Sequence, residues 1–263
     1  MPWAGVVRAE DTAAVTGTHQ VACDLPREGF TLAQGLPETA ARLRRGESLV
    51  VVAIGSSSTA GAGASGPDRS YPAWTKRMLL RHFPTSTVTV HNRGVGGQLA
   101  TQMLARFDQD LWPLTPHLVL WQTGTNEALR RVAPEALRAA LREGVERMRG
   151  RGVEVMLIDP QYSPDVERRL PDYERQVQAM RDFAREAEVP LIDRYGAMRL
   201  WSRKAADGSA ALLAPDRLHQ NDEGYRCLGT AVATAIACAA GTQCPFSTAD
   251  RASDGARSPT AGR

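Results

Sequence analysis

The feature that most constrains this chain is an unbroken apolar run, Leu49 to Ile54, followed at once by Gly55-Ser56-Ser57-Ser58. Six successive apolar residues without alternation suit a strand buried on both faces, as in a central parallel sheet. Further strands are expected at Thr87 to His91, Leu118 to Gln122, Val153 to Ile158 and Val189 to Ile192. Helical patterns fall between them: Glu38 to Arg45, Tyr71 to Phe83, Gln98 to Leu111, Pro134 to Arg149, Asp172 to Glu186 and Asn221 to Ala239. Strands alternating with helices imply a parallel sheet covered on both sides. Hydrophobic residues at 43% and charged residues at 23% fit a globular domain and exclude wholesale disorder, collagen and coiled coil.

Met1 to Pro37 lacks periodicity and reads as an arm, residues 38–240 as one domain, and Gly241 to Arg263 as a disordered tail. No run approaches the ~20 apolar residues of a membrane-spanning helix, and the start shows no basic or apolar leader segment. Lys76 and Lys204 are the only lysines in a chain of net charge +3. The many arginines are scattered singly among acidic residues, as on solvated helix faces, so no nucleic-acid partner is expected. Cys23, Cys227, Cys238 and Cys244 show no zinc spacing, so no metal site is expected. Two disulfides would fit an oxidising compartment. Cys238 and Cys244 flank a helix end, whereas pairing of Cys23 with Cys227 requires tertiary contact. A periplasmic, secreted or cytoplasmic setting stays open at this point, as does oligomeric state.

In an open parallel sheet, ligands bind at the carboxyl ends of the strands. There the chain places the serine cluster, then Asn92-Arg93-Gly94-Val95-Gly96-Gly97, then Gly124-Thr125-Asn126-Glu127, and late in the chain Asp216-Arg217-Leu218-His219. A serine hydroxyl needs a base, and a histidine is the natural one. An Asp three residues before His219 can accept its Nδ1 proton. Backbone N–H groups at the serine and glycine turns, with the Asn126 amide, would serve an oxyanion. Taken singly, each piece reads as a cap, a turn or a surface residue; together and in order they describe nucleophilic acyl transfer.

These four blocks resemble those of SGNH-type hydrolases of the GDSL esterase/lipase superfamily, over about Leu49 to Ala239. The resemblance makes Ser57 the nucleophile, Gly97 and Asn126 oxyanion donors with the Ser57 N–H, and Asp216 and His219 the rest of a triad. Ser56 and Glu127 stand where that family usually has Asp. The resemblance implies a flavodoxin-like three-layer α/β sandwich with a central parallel five-stranded sheet. It also implies cofactor-free ester hydrolysis through an acyl-enzyme on a small-molecule ester. Ser56, Gln161 and Tyr162, with Tyr71 and Trp74 nearby in the loops, are the expected substrate contacts, and they suit small O-acyl esters on a carbohydrate. A lysophospholipase or thioesterase on the same triad is the alternative. Two readings come from other classes. One is an inactive ligand-binding module. The other is a dinucleotide-binding oxidoreductase, invited by Gly61-Ala62-Gly63-Ala64-Ser65-Gly66. Gln122 and Arg93 are further residues at the border of the site.

Overall fold

The computed structural model describes Cys23 and residues 35–242, apart from Pro171, Ala206 and the side chain of Arg169. The rest of the expected arm and of the tail, with Cys244, lies outside the described residues.

Five strands form one parallel sheet: β1 (Leu49–Gly55), β2 (Val88–Gly94), β3 (Leu118–Gln122), β4 (Glu154–Ile158) and β5 (Leu191–Ile192). Their order across the sheet is β2-β1-β3-β4-β5, the flavodoxin-like winding. The expected fold class is therefore borne out. In chain order the helices are α1 (Pro37–Arg44), α2 (Ser57–Ala60), α3 (Tyr71–His82), α4 (Ala100–Leu104), α5 (Phe107–Asp110), α6 (Thr125–Leu129), α7 (Pro134–Arg149), α8 (Pro164–Arg169), α9 (Tyr173–Glu186), α10 (Arg194–Lys204) and α11 (Asp222–Ala239).

The apolar strands divide by side-chain alternation. Leu49, Val51, Ala53, Leu118, Leu120, Met156 and Ile158 face one core with α1, α3 and α11. Val52, Ile54, Val119, Trp121, Val155 and Leu157 face the other, with α4, α5, α7 and α9. A fully buried Val, Leu or Ile side chain contributes about 1.5–3 kcal/mol, so a strand filled on both faces holds both layers. Helix α7 shows the matching helical spacing, burying Leu137, Ala140, Leu141, Gly144, Val145 and Met148.

Polar links fix the bottom of the sheet. The Glu154 carboxylate accepts the backbone N–H groups of Glu38 and Thr39 at 2.9 and 2.8 Å, capping α1. The Val50 N–H donates to His117 Nδ1 at 2.9 Å. Burial, and after it the Arg42 charge, hold the His117 imidazole below its ordinary pKa.

The structure departs from the expected elements in three ways. β2 runs on to Gly94, because it pairs with β1 in register as far as Gly55↔Gly94. The helix expected over Gln98 to Leu111 is broken into α4 and α5. Between them Arg106 turns back to donate to the carbonyls of Gly55 and Arg93, at 3.2 and 2.8 Å. The short helices α2, α6 and α8 and the 11-residue α10 were not expected; α2 and α6 open just after strand ends. Asn221 caps α11 as expected, its side chain accepting from the N–H groups of Glu223 and Gly224. Among the described residues no helix is long and apolar enough to cross a membrane.

Cys23 and Cys227 form a disulfide that ties the start of the described chain to α11, 204 residues away in sequence. Cys238 is disulfide-bonded as well. Reduction, or Cys227→Ala, is expected to lower unfolding free energy by roughly 2–5 kcal/mol, read from urea unfolding with and without reductant. An unchanged midpoint would show that the tie carries no stability.

Candidate active site

The serine turn is built by burial and by one amide. β1 ends at Gly55, Ser56 links, and Ser57 is the first residue of the one-turn helix α2. The Ser56 N–H and Oγ and the Thr59 Oγ1 all donate to Gln122 Oε1 at 3.1 Å. Gln122 is the fully buried last residue of β3. Tyr71 OH lies 3.0 Å from Thr59 Oγ1; burial, only partly offset by this bond, pushes its phenol up to about 12. Asn92 Nδ2 donates to the Thr59 carbonyl at 2.6 Å. Gly94 lets α2 lie on the end of β2, since a Cβ there would stand 2.1 Å from the Ala60 nitrogen. Ser56 and Ser58 are consequently buried, at 2% exposure each. Ser57 alone of the three is partly exposed.

The residues 213–220 form a tight loop, closed by the Leu213↔Gln220 bridge and by the Ala214 N–H to His219 carbonyl bond at 2.8 Å. At its tip Asp216 Oδ1 accepts the N–H groups of Leu218 and His219 at 3.0 and 2.9 Å. Its Oδ2 lies 2.5 Å from His219 Nδ1. His219 Nε2 is 2.8 Å from Ser57 Oγ, across 162 residues of sequence. Asp216 thus turns the loop and orients the imidazole with the same carboxylate. Partial burial opposes its ionisation, but the bonds from the His219 ring and from the two backbone N–H groups outweigh burial and hold its pKa below the ordinary aspartate value.

The segment after β4 grips this loop from the side. Ser163 Oγ donates to the Arg217 carbonyl at 2.7 Å, and Gln161 Nε2 to the Leu218 carbonyl at 3.3 Å. Gln161 Oε1 accepts from Ser58 Oγ and Thr125 Oγ1 at 3.1 Å, joining three loops. The fully buried Arg194 donates its Nε to the Asp159 carbonyl, fixing the strand end from below.

Opposite stands the glycine turn after β2. Asn126 Nδ2 donates to the Gln98 carbonyl at 2.9 Å, leaving its second N–H uncommitted by that bond. Gly97 is half-buried with φ +76°. Glu127 is buried and accepts the N–H groups of Ala100 and Gly124 and the Thr123 hydroxyl. That ties α6 to the start of α4 and explains an acidic residue at this place.

The structure places the expected substrate contacts in different surroundings. Ser56 and Gln161 are buried and spend their polar atoms on Gln122, Ser58, Thr125 and Leu218, so they support the site from beneath. Gln122 does the same. Tyr71 is fully buried, and Trp74 packs against Gly229 of α11. Tyr162 is half-buried edge-on against Tyr195, with ring centroids 5.6 Å apart. Arg93 lies 3.7 Å from Asp110. The glycine run from Gly61 to Gly66 neither follows a strand directly nor opens a helix of any length, since the chain passes into the 3-10 turn Pro67–Arg69. The dinucleotide reading therefore loses its context. Gly63 instead packs on the histidine loop. With φ +88°, a Cβ there would meet the Gln220 carbonyl at 2.5 Å and His219 Cβ at 3.0 Å.

Gly63→Ala is expected to displace His219, lowering kcat of any reaction run by this pair and costing about 1–3 kcal/mol of stability; steady-state kinetics with thermal melts check this. For Asp216 the sign follows from the lowered pKa. Its stabilisation is complete above the unfolded value of 3.8 and is lost as pH falls through the lower folded value. The stability gap between wild type and Asp216→Asn should therefore hold at neutral pH and shrink in strongly acidic buffer, as read by urea unfolding across pH.

A family model described as the non-GDSL lipase-like family matches residues 22–242. An arylesterase from Vibrio mimicus is 30% identical over 105 residues, covering 40% of this chain and 52% of that protein. The alignment thus spans about half the length of that curated relative. A two-domain esterase active on acetylated mannans superposes with a TM-score of 0.64 at 18% identity, over 82% of this chain and 58% of that one. A catalytic mutant of the acetylxylan esterase Axe2 from Geobacillus stearothermophilus gives 0.59 at 22% identity, over 72% and 94%. LAE5, an alpha/beta hydrolase enzyme from the metagenome of Lake Arreo, gives 0.60 at 25% identity, over 73% and 95%. With the family match spanning the sheet, the serine turn and the histidine loop alike, the chain belongs to the non-GDSL lipase-like family.

Proposed function

We propose that this chain is a serine carboxylic ester hydrolase of small O-acyl, acetyl-type esters, working through an acyl-enzyme. The observation that carries the reading is the hydrogen-bonded series Ser57 Oγ, His219 Nε2, His219 Nδ1, Asp216 Oδ2, at 2.8 and 2.5 Å. Ser57 Oγ attacks the ester carbonyl while His219 Nε2 takes its proton, and Asp216 steadies the imidazolium through Nδ1. The oxyanion is held by the Ser57 N–H, which as the first helical N–H has no partner within α2, by the Gly97 N–H and by the second Asn126 amide proton. His219 then protonates the departing alcohol and activates water to release the acid. Losing one oxyanion donor costs about 2.7–4 kcal/mol of transition-state stabilisation.

For the alcohol, acetylated carbohydrate is the class we favour. The rim is polar and open, with Asp216, Arg217 and Arg130 exposed, and the similar structures include esterases of acetylated mannan and xylan. A second reading, a lysophospholipase or thioesterase on the same triad, draws on a different observation. Val95 and Leu129 are exposed large hydrophobic residues, at 43% and 37%, next to the glycine turn and to Arg130. A longer acyl chain would lie on them.

Hydrolysis of p-nitrophenyl acetate, p-nitrophenyl octanoate and acetylated xylooligosaccharide, by wild type and Ser57→Ala, tests both. The expected result is acetyl release from the first and third, with kcat/KM at least about 10⁴-fold lower in Ser57→Ala. Preference for octanoate would favour the second reading. Retained turnover in Ser57→Ala would remove Ser57 as nucleophile, and ligand binding without turnover would favour a binding module.

A further inference from the structure

Helix α6 does more than supply Asn126. Three side chains, two on the helix and one on the residue that follows it, reach the turn after β2 and the start of α4: Asn126 Nδ2 to the Gln98 carbonyl at 2.9 Å, Glu127 to the Ala100 N–H at 2.5 Å, and the C-cap residue Arg130 Nη2 to the Gly97 carbonyl at 2.7 Å. Asn126 and Arg130 are four residues apart and so share one helix face, and they take consecutive carbonyls of the turn. From the other side, Arg106 Nε holds the Gln98 side chain at 2.7 Å.

We propose that Arg130 is a positioning residue of the oxyanion turn. Its guanidinium pegs the Gly97 carbonyl and so anchors the Gly97–Gln98 peptide, from which the adjoining Gly96–Gly97 peptide, the one carrying the Gly97 N–H, is hung. The inference rests on the esterase reading above. The physical need is specific to this place. Gly97 has φ +76°, and without a Cβ the peptide planes on either side of it rotate at little cost. The turn is solvent-facing, with Val95 and Gly96 exposed, so packing adds little to the long Gln98 N–H to Val95 carbonyl bond, 3.4 Å, that spans it. An N–H donor to an oxyanion is worth its full effect only when aimed before the charge develops. A guanidinium is suited to the task, because it stays charged and presents donors in a rigid plane.

The test pairs kinetics with hydrogen exchange. In Arg130→Met, kcat for p-nitrophenyl acetate is expected to fall roughly 10- to 100-fold with KM within about twofold, while Arg130→Lys keeps most of kcat. Millimolar methylguanidine should restore part of kcat to Arg130→Ala and leave wild type and Asn126→Ala unchanged. In a Ser57→Ala background, Arg130→Met should speed amide exchange at Gly96 to Gln98 and leave the His219 loop as it was. Three results overturn the proposal. One is wild-type kcat in folded Arg130→Met. Another is an effect confined to KM for an acidic acyl ester such as a hemisuccinate, which would make Arg130 a substrate contact. The third is unchanged exchange at the turn. If wild type hydrolyses no ester but exchange responds as expected, the clamp stands and the esterase reading fails.

Discussion

Everything at the site hangs on β1 being held between β2 and β3 with both faces buried. Its pairing with β2 ends level at Gly55↔Gly94. The serine turn and the glycine turn therefore leave the sheet side by side. β3, on the other flank, ends in Gln122, whose amide oxygen collects Ser56 and Thr59. Strand pairing is long-range and cooperative, so the positions of three loops are set by one set of backbone bonds. No loop has to find its place by its own side chains alone.

Beneath the part-exposed Ser57 and His219 lies a layer of buried polar residues: Ser56, Ser58, Thr59, Gln122, Thr125, Glu127 and Gln161. Most of their hydrogen bonds run between loops, and only Glu127 also binds within its own segment, to Thr123 and Gly124. A buried polar group without a partner costs about 1–3 kcal/mol, so each bond resists displacement of either loop it joins. Such a layer resists small shifts in a way an apolar contact does not, because direction as well as distance is specified. It accounts for how a serine and a histidine 162 residues apart meet at 2.8 Å. It also accounts for the two departures from the commoner family letters. Ser56 and Glu127 belong to this supporting layer and do not face the reacting groups.

The four blocks were legible because each follows a strand and combines small, turn-forming residues with a chemical side chain. Asp216 and His219 were legible as a pair because three residues is the span of a side chain folding back on its own loop. The substrate contacts were misread for a related reason. Ser56, Gln161, Tyr71 and Trp74 occupy the same stretches as the site, and nothing local separates a residue that faces the crevice from one turned beneath it. Arg130 carried a signal only in hindsight, as the residue one helical turn after Asn126.

The sequence by itself determined the alternation of strands and helices, the parallel sheet, and the residue types at each strand end. These are local matters of periodicity, capping and turn chemistry. Only the tertiary structure decided which of three serines is presented, which aromatics are core, that Cys23 reaches Cys227, and that α6 and its C-cap residue lay Asn126 and Arg130 along the glycine turn. Each of these depends on which face of one element meets which face of another. That is fixed by the packing of the whole chain, since contacts between residues distant in sequence leave no periodic trace on either side.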